Sequence, residues 1–313
     1  MTTATQPPTL SVDDLRGSHA RRRRELAIRL VFFAAAGLSV IISGLIVLSL
    51  IGEATNFITR VAPDALLDPA FFPQRELFGI PTLVVGTFIV ALIGMAVATP
   101  LGLGAAIYLS EYAQPRVRKA LKPVLEILAG IPSVVLGFFA LTVISPQVVN
   151  PLCPGVTPLS NYAAAGLAVG ILITPLVASV SEDAMYAVPR SLREASYGLG
   201  AKKRTTSIRI VVPAAVSGIV AALIIAFSRA IGETLIVAVA SGATGGGRFT
   251  LDPCGPGQTM TAAMTSLAIG SDRPRGDSLA YPSLFFIGLL LFAMTLVLNI
   301  IGEAFVRRVR RAY

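Results

Sequence analysis

The stretch Pro189-Arg190-Ser191-Leu192-Arg193-Glu194-Ala195-Ser196-Tyr197-Gly198-Leu199-Gly200 runs on through Ala201-Lys202-Lys203-Arg204 to Ile210-Val211-Val212-Pro213. Residues 190–199 favour a short helix with Leu192, Ala195 and Leu199 on one face, and Gly200 can take left-handed dihedrals and end it. Residues 201–212 can form a second short helix, and Pro213 opens the apolar run that follows. Two short helices at an angle make a rigid knob, and apolar side chains rimmed by Arg and Lys suit a groove on a soluble partner. What flanks the knob gives it meaning. Upstream, Ile127 to Ser181 holds no Asp, Glu, Lys or Arg; downstream, Ala214 to Gly247 holds only Arg229 and Glu233.

Leu30–Gly52, Leu77–Ser110 and Ser278–Gly302 are also free of charge. Of 313 residues, 54% are hydrophobic and 14% charged, against about 25% charged in soluble domains. That composition excludes a disordered chain, a secreted disulfide scaffold and a single-core soluble enzyme. A spanning helix needs about 20 residues, so Ile127–Ser181 is too long for one pass. Pro146, Asn150, Pro151, Pro154 and Pro158 divide it, because prolines strip donors from a backbone that lipid cannot satisfy. The reading is an all-α polytopic membrane protein with six transmembrane helices, near 30–51, 80–110, 124–145, 161–181, 214–243 and 279–302.

Orientation follows from the cations. Arg16, Arg21, Arg22, Arg23, Arg24, Arg29, Arg116, Arg118, Lys119, Lys122, Arg190, Arg193, Lys202, Lys203, Arg204, Arg209, Arg307, Arg308, Arg310 and Arg311 make 20 on one side. The other side holds 5: Arg60, Arg75, Arg248, Arg273 and Arg275. The positive-inside rule makes the richer side cytoplasmic, with both termini inside. The Arg21–Arg24 run then reads as a juxtamembrane anchor meeting anionic lipid, not as a nucleic-acid site. Residues 1–29 are expected to be a disordered basic cytoplasmic tail, 30–305 the six-helix domain with its cytoplasmic loop at 182–213, and 306–313 a basic cytoplasmic tail. Phe57, Phe71, Phe72 and Phe78 suggest an outer segment lying on the membrane surface. Span one exceeds a signal-peptide core in length.

The sequence lacks the G-x-x-x-x-G-K-[ST] phosphate loop, and its one histidine, His19, sits in the tail. A metal site or a Ser-His-Asp triad is unsupported. A pathway fits better than catalysis, and no cofactor is expected in this chain.

The knob resembles the E-A-A-x3-G-x9-I-x-L-P pattern in membrane subunits of ABC importers. Glu194, Ala195, Gly200, Ile210 and Pro213 match at that spacing; Ser196 stands for the second alanine and Val212 for leucine. The resemblance implies a type I ABC importer permease fold, with Glu194–Pro213 as the coupling helix docked on an ATPase subunit that binds the ATP and Mg. Ser228-Arg229-Ala230-Ile231-Gly232-Glu233-Thr234, Leu128-Ala129-Gly130-Ile131-Pro132-Ser133-Val134-Val135 and Pro100–Leu109 are similar to stretches of phosphate ABC permeases, and Glu194–Ala240 with Gln258–Thr261 looks more like the PstC than the PstA type. The resemblance covers about residues 80–305. It implies a second permease (PstA-like), two ATPase subunits (PstB-like), an external phosphate-binding protein (PstS-like) and a bacterial cell membrane. Permeases for molybdate or sulfate are the near alternative, and a secondary transporter or channel the distant one.

Arg229 and Glu233 stand four apart, which on a continuous helix puts them on one face. A mid-bilayer charge costs at least about 2.5–3.5 kcal/mol, so it needs a partner or a wet path. Either Arg229 contacts an anion and Glu233 balances it in the empty path, or the two form a structural ion pair. Arginine offers a planar fork to two phosphate oxygens. Ser133 and Thr234 join the candidate path, since Ile131-Pro132-Ser133 can break span three there; a kink without ligand contact is the alternative. Glu126 is expected to pair with Lys122 or an arginine. Cys153 and Cys254 both fall in outer loops beside Pro and Gly, and an oxidising outer compartment favours a disulfide between them over two free thiols.

Overall fold

A computed structural model describes residues 19–153, 158–242, 247–269 and 279–309. Its main helices are α1 His19–Arg60, α2 Ile80–Ile107, α3 Pro115–Ala129, α4 Ser133–Phe139, α5 Tyr162–Tyr186, α6 Arg190–Gly198, α7 Val216–Ile231, α8 Met260–Ile269 and α9 Ala280–Val309. Arg23–Arg60, Ile80–Tyr112, Tyr162–Tyr186 and Ala280–Arg308 are long and apolar enough to cross a membrane unbroken. Two bent pairs bring the count to as many as six: Pro115–Ala129 with Ser133–Val149, bent by 82°, and Lys203–Ala214 with Val216–Ile231, bent by 69°.

The described residues up to Gly52 form one compact unit and those from Glu53 another. In the first, helix begins at His19, so residues 19–29 are helical where a disordered tail was expected; residues 1–18 lie outside the described residues. At the other end α9 runs to Val309, which makes residues 306–309 a continuation of the last span, not a separate tail.

In the second unit α2 and α5 form the closest seam, because both carry glycine where they meet. A Cβ on Gly94 would lie 3.3 Å from the Gly170 backbone, one on Gly102 2.7 Å from Val177, and one on Gly166 2.7 Å from Ile93. Without a hydrophobic force between helices in lipid, such small-residue approach is what holds spans together. Fully buried Ala98, Ala165, Ala168, Val169 and Ile173 fill the same core.

The outer aromatics do not lie flat on a surface. Phe57, Phe71 and Phe78 are buried, with Phe57 edge-on to Phe78 at 5.0 Å and tilted against Phe286 at 5.2 Å. Two short antiparallel strands, β1 Phe71–Phe72 and β2 Leu77–Phe78, turn these rings inward over Met260 and Ile287. The surface-segment expectation fails because burying three rings against the ends of α8 and α9 removes more apolar area from water than an interfacial position would.

Two other expectations change. Span three is not one helix over 124–145. Residues 115–129 form an amphipathic helix ending at Gly130, and the apolar part restarts at Ser133 and continues as a π-helical stretch to Val149. Span five is not one helix over 214–243 either: α7 stops at Ile231, and only a short helix, Leu235–Val237, with a π turn, Ala238–Gly242, follows.

Candidate functional site: two broken spans and a knob between them

The chain just past the α7 break is held from α8. In an unbroken helix the Glu233 carbonyl would accept from the N–H of Val237. Here the Thr261 hydroxyl donates to that carbonyl at 2.7 Å, so α8 holds the chain end open. Thr261 is placed in turn by its neighbours: Thr259 and Thr261 hydroxyls lie 3.2 Å apart, and the Met260 N–H donates to the Thr87 hydroxyl of α2 at 3.0 Å.

The consequence for the charged pair is direct. Arg229 remains on α7 and is exposed, whereas Glu233 lies beyond the helix end and is half-buried. The shared helical face expected from their spacing does not form. Among the described residues no ion pair within 4.0 Å joins them. The structural-pair alternative therefore lacks its contact.

Ser133 starts α4 just past the break at Gly130-Ile131-Pro132 and is half-buried, as is Thr234 just past the other break. The two restarted segments pack on each other. A Cβ on Gly137 would lie 3.3 Å from the Leu235 carbonyl and 3.1 Å from Val239. Irregular backbone at membrane depth is tolerated only where protein buries it or a water-filled cavity meets it. Beside the α7 break lies a cavity of about 330 Å³, lined by Gly232, Thr234, Thr261 and Thr265 with apolar Met264 and Leu284 among its walls. The sequence reading passed over the roles of Thr261 and Thr265. Their signal was visible only as hydroxyls recurring one helical turn apart next to Gln258–Thr261.

The knob is built as its spacing predicts in one respect: Gly200 ends α6 with φ of 78°. Its faces are less simple. Leu192 is half-buried, packed against the cluster of Met185, Val188 and Val211. Leu199 is 90% exposed, and Tyr197, Glu194 and Ala195 are exposed as well, leaving a free apolar and acidic face. Ser196 is buried and its hydroxyl lies 2.8 Å from that of Thr206. The hydroxyl that departs from the family pattern thus ties the two short helical parts together. Ile210 is half-buried and Pro213 exposed, one in the π turn Ser207–Val211 and the other just after it.

A single arginine fastens this knob to the spans. Arg193 donates to Glu111 at 2.8 Å, to the Met185 carbonyl at 2.9 Å and to the Val188 carbonyl at 2.6 Å. Glu111 belongs to the π turn that ends α2, and Met185 and Val188 to the C-terminal end of α5. A second cluster lies alongside: buried Glu182 pairs with Arg118 and, at 3.0 Å, with Lys122, which also meets Asp183. Glu126 is exposed, and Lys122 is committed to α5 instead of to it. The sequence showed these charges only as cations near span ends; their partners lie 60 and 82 residues away.

On the opposite side of the molecule Cys153 and Cys254 are joined in a disulfide, with Cα atoms 6.1 Å apart. The loop of Cys254 is pinned by backbone bonds from Asn161, Tyr162 and Ala163 to Ala240, Gly255 and Pro253.

The family model described as "Binding-protein-dependent transport system inner membrane component" matches residues 98–311. The chain is 34% identical over 218 residues to the probable ABC transporter permease protein YqgH of Bacillus subtilis (strain 168), covering 70% of this chain and 68% of that protein. It is 31% identical over 263 residues to phosphate transport system permease protein PstC 1 of Mycobacterium tuberculosis (strain ATCC 25618 / H37Rv), covering 78% and 77%. Among solved structures it is similar to a bacterial ABC transporter involved in the import of the acidic polysaccharide alginate. That likeness has TM-score 0.63 and 17% identity over 93% of this chain and 100% of the other. It is also similar to the inward-facing MetNI methionine ABC transporter, with TM-score 0.55 and 18% identity over 74% and 95%. At these identities the solved structures speak for the fold alone.

Proposed function

Because the chain belongs to the family of binding-protein-dependent transport system inner membrane components, we propose that it is the PstC-type permease subunit of an ATP-driven importer of inorganic phosphate. Family membership makes it a multi-pass membrane protein working with a second permease, ATPase subunits and a substrate-binding protein. A PstA-like permease completes the path, two PstB-like subunits hydrolyse the ATP, and a PstS-like protein delivers phosphate from outside. Both termini face the cytoplasm of a bacterial cell.

The observation that carries this reading is the exposed guanidinium of Arg229, without an ion-pair partner among the described residues, next to a broken span. A cation left facing hydrocarbon would cost at least about 2.5–3.5 kcal/mol. Facing a second permease across a wet path, it can bind an oxyanion through two N–H groups and still release it. Ser133 and Thr234 stand at the two chain breaks that line this path.

The knob supplies the coupling. Glu194, Ala195 and Leu199 offer the free face to an ATPase groove, while Ser196, Gly200, Ile210 and Pro213 set the shape that presents it. Arg193 passes the displacement to the ends of α2 and α5. Phosphate uptake by the whole transporter carrying Arg229→Ala or Glu233→Ala tests the reading. Uptake falls at least tenfold in assembled variants; normal uptake in both would overturn it.

A further inference from the structure

Asn299 is the one carboxamide on α9, in a run from Ala280 to Gly302 that holds no Asp, Glu, Lys or Arg. A polar side chain inside a span is costly and marks function. Its only polar partner among the described residues is Ser228, whose hydroxyl donates to Asn299 Oδ1 at 2.8 Å. The hydroxyls of Thr87, Thr174 and Thr295 give their protons to carbonyls of their own helices; that of Ser228 crosses from α7 to α9. With its oxygen turned to Ser228, Asn299 directs its NH2 group away, and both N–H donors are unspent. Asn299 is exposed. Bare donors facing hydrocarbon would cost several kcal/mol, whereas a wet path gives them a partner.

Helix geometry sets this NH2 group beside Arg229. α7 and α9 run antiparallel: Ser228 meets Asn299, and a Cβ on Gly302 would lie 2.7 Å from Ile224. Arg229 follows Ser228, so it stands about 1.5 Å along the α7 axis and about 100° round it. Ile225 and Gly232, one turn to either side, fall between the two in angle, and both are exposed, as Arg229 is. A Cβ on Gly232 would meet only carbonyls of its own helix, Ser228 at 3.5 Å and Arg229 at 3.9 Å, so this strip is open. The strip has a guanidinium on one side and carboxamide N–H groups on the other, at one depth. An oxyanion seated over it takes the planar fork on two oxygens and a carboxamide N–H on a third. A neutral donor orients the anion without a second positive charge, so release stays easy.

We propose that Asn299 is a second anion-contacting residue of the path, offering its carboxamide N–H groups to the oxyanion that Arg229 holds, with Ser228 aiming it. This rests on the phosphate-path reading above and adds a donor from the last span.

Both native cysteines are spent in the disulfide, so Ile225→Cys gives the chain one thiol, read at that residue by alkylation and mass spectrometry. The probe is inorganic phosphate, and the protein is the whole transporter in lipid nanodiscs without binding protein. Phosphate slows alkylation, and Arg229→Ala abolishes the protection. Asn299→Ala raises the half-protecting phosphate concentration about tenfold, as loss of one hydrogen bond to a charged group requires. Asn299→Asp keeps the acceptor for Ser228 but puts a carboxylate where the donors stood, and raises it further. Ser228→Ala leaves the N–H groups free to turn and raises it less than Asn299→Ala. Near-normal protection in Asn299→Asp would make the carboxamide a clamp between α7 and α9 and overturn the proposal. So would loss of the second permease from the purified complex in both Asn299 variants, which would make it an assembly contact. A thiol that phosphate does not protect with Arg229 and Asn299 both in place overturns the path reading itself, a distinct outcome.

Discussion

Replacing Arg193 with alanine tests whether the knob is fastened by one side chain. The Glu111 side chain is 3% exposed and that of Arg193 16%. Removing the guanidinium leaves a nearly buried carboxylate without its cation, and two carbonyls at the end of α5 without a donor. Breaking a buried pair costs about 3–5 kcal/mol. Glu111 retains the Ser110 hydroxyl at 3.0 Å, and the pair stands at a span end near water, so the loss is set at the lower end, ~3 kcal/mol. Removing both partners, Glu111→Ala with Arg193→Ala, recovers ~2 kcal/mol of it because no orphan charge remains. Coupling does not recover, since the knob is still unfastened. Unfolding in detergent micelles gives the first quantity. ATP hydrolysed per phosphate imported in proteoliposomes gives the second, and it rises in both variants. A single variant that loses under ~0.5 kcal/mol and stays coupled would refute the fastening.

Other consequences are as concrete. Gly102→Ala should destabilise by ~1–3 kcal/mol, because its Cβ meets Val177 at 2.7 Å and the Thr174 carbonyl at 3.1 Å. Gly104→Ala, with nothing within 4 Å, should gain up to ~1 kcal/mol from helix propensity, and unfolding midpoints compare them. Alkylation followed by mass spectrometry should leave Cys153 and Cys254 unmodified until reduction. The double change to alanine should cost less than the ~4–5 kcal/mol that chain entropy assigns to closing a loop of 101 residues, since membrane insertion already confines it. Gly200→Ala should strain the turn by about 1 kcal/mol at φ 78°. Hydrogen exchange at the amides of Gly200 and Ala201, which donate to Tyr197 and Ser196, should speed accordingly.

The spans were legible where charge was absent over more than 20 residues, because lipid leaves a charge-free backbone few options. The break in span three was half legible: Ile131-Pro132-Ser133 marked a place where the helix can break, but α2 and α5 run through Pro100 and Pro175, so proline alone does not decide it. The break in span five was not. Gly232-Glu233-Thr234 carries no proline, and the Glu233 carbonyl just past the helix end is met by a threonine 28 residues later. For the same reason the i, i+4 reading gave Arg229 and Glu233 a shared helical face that the fold does not form. The partners of Glu182 and Glu111 lie far off in sequence, so only the fold says which cation each one meets. The aromatic loop misled because ring composition is the same for a membrane-surface segment and for a small core.

The glycine seam between α2 and α5 has a mechanical consequence. Two helices interlocked at Gly94, Gly102, Gly166 and Gly170 cannot slide or separate without losing backbone-close contacts, so they behave as one stiff strut. α2 has 28 residues and is ~42 Å long at 1.5 Å per residue. With Arg193 clamped to the end of that strut, the coupling proposed above would turn a pull on the knob into a swing of the whole lever. A tilt of roughly a tenth of a radian carries its far end ~4 Å.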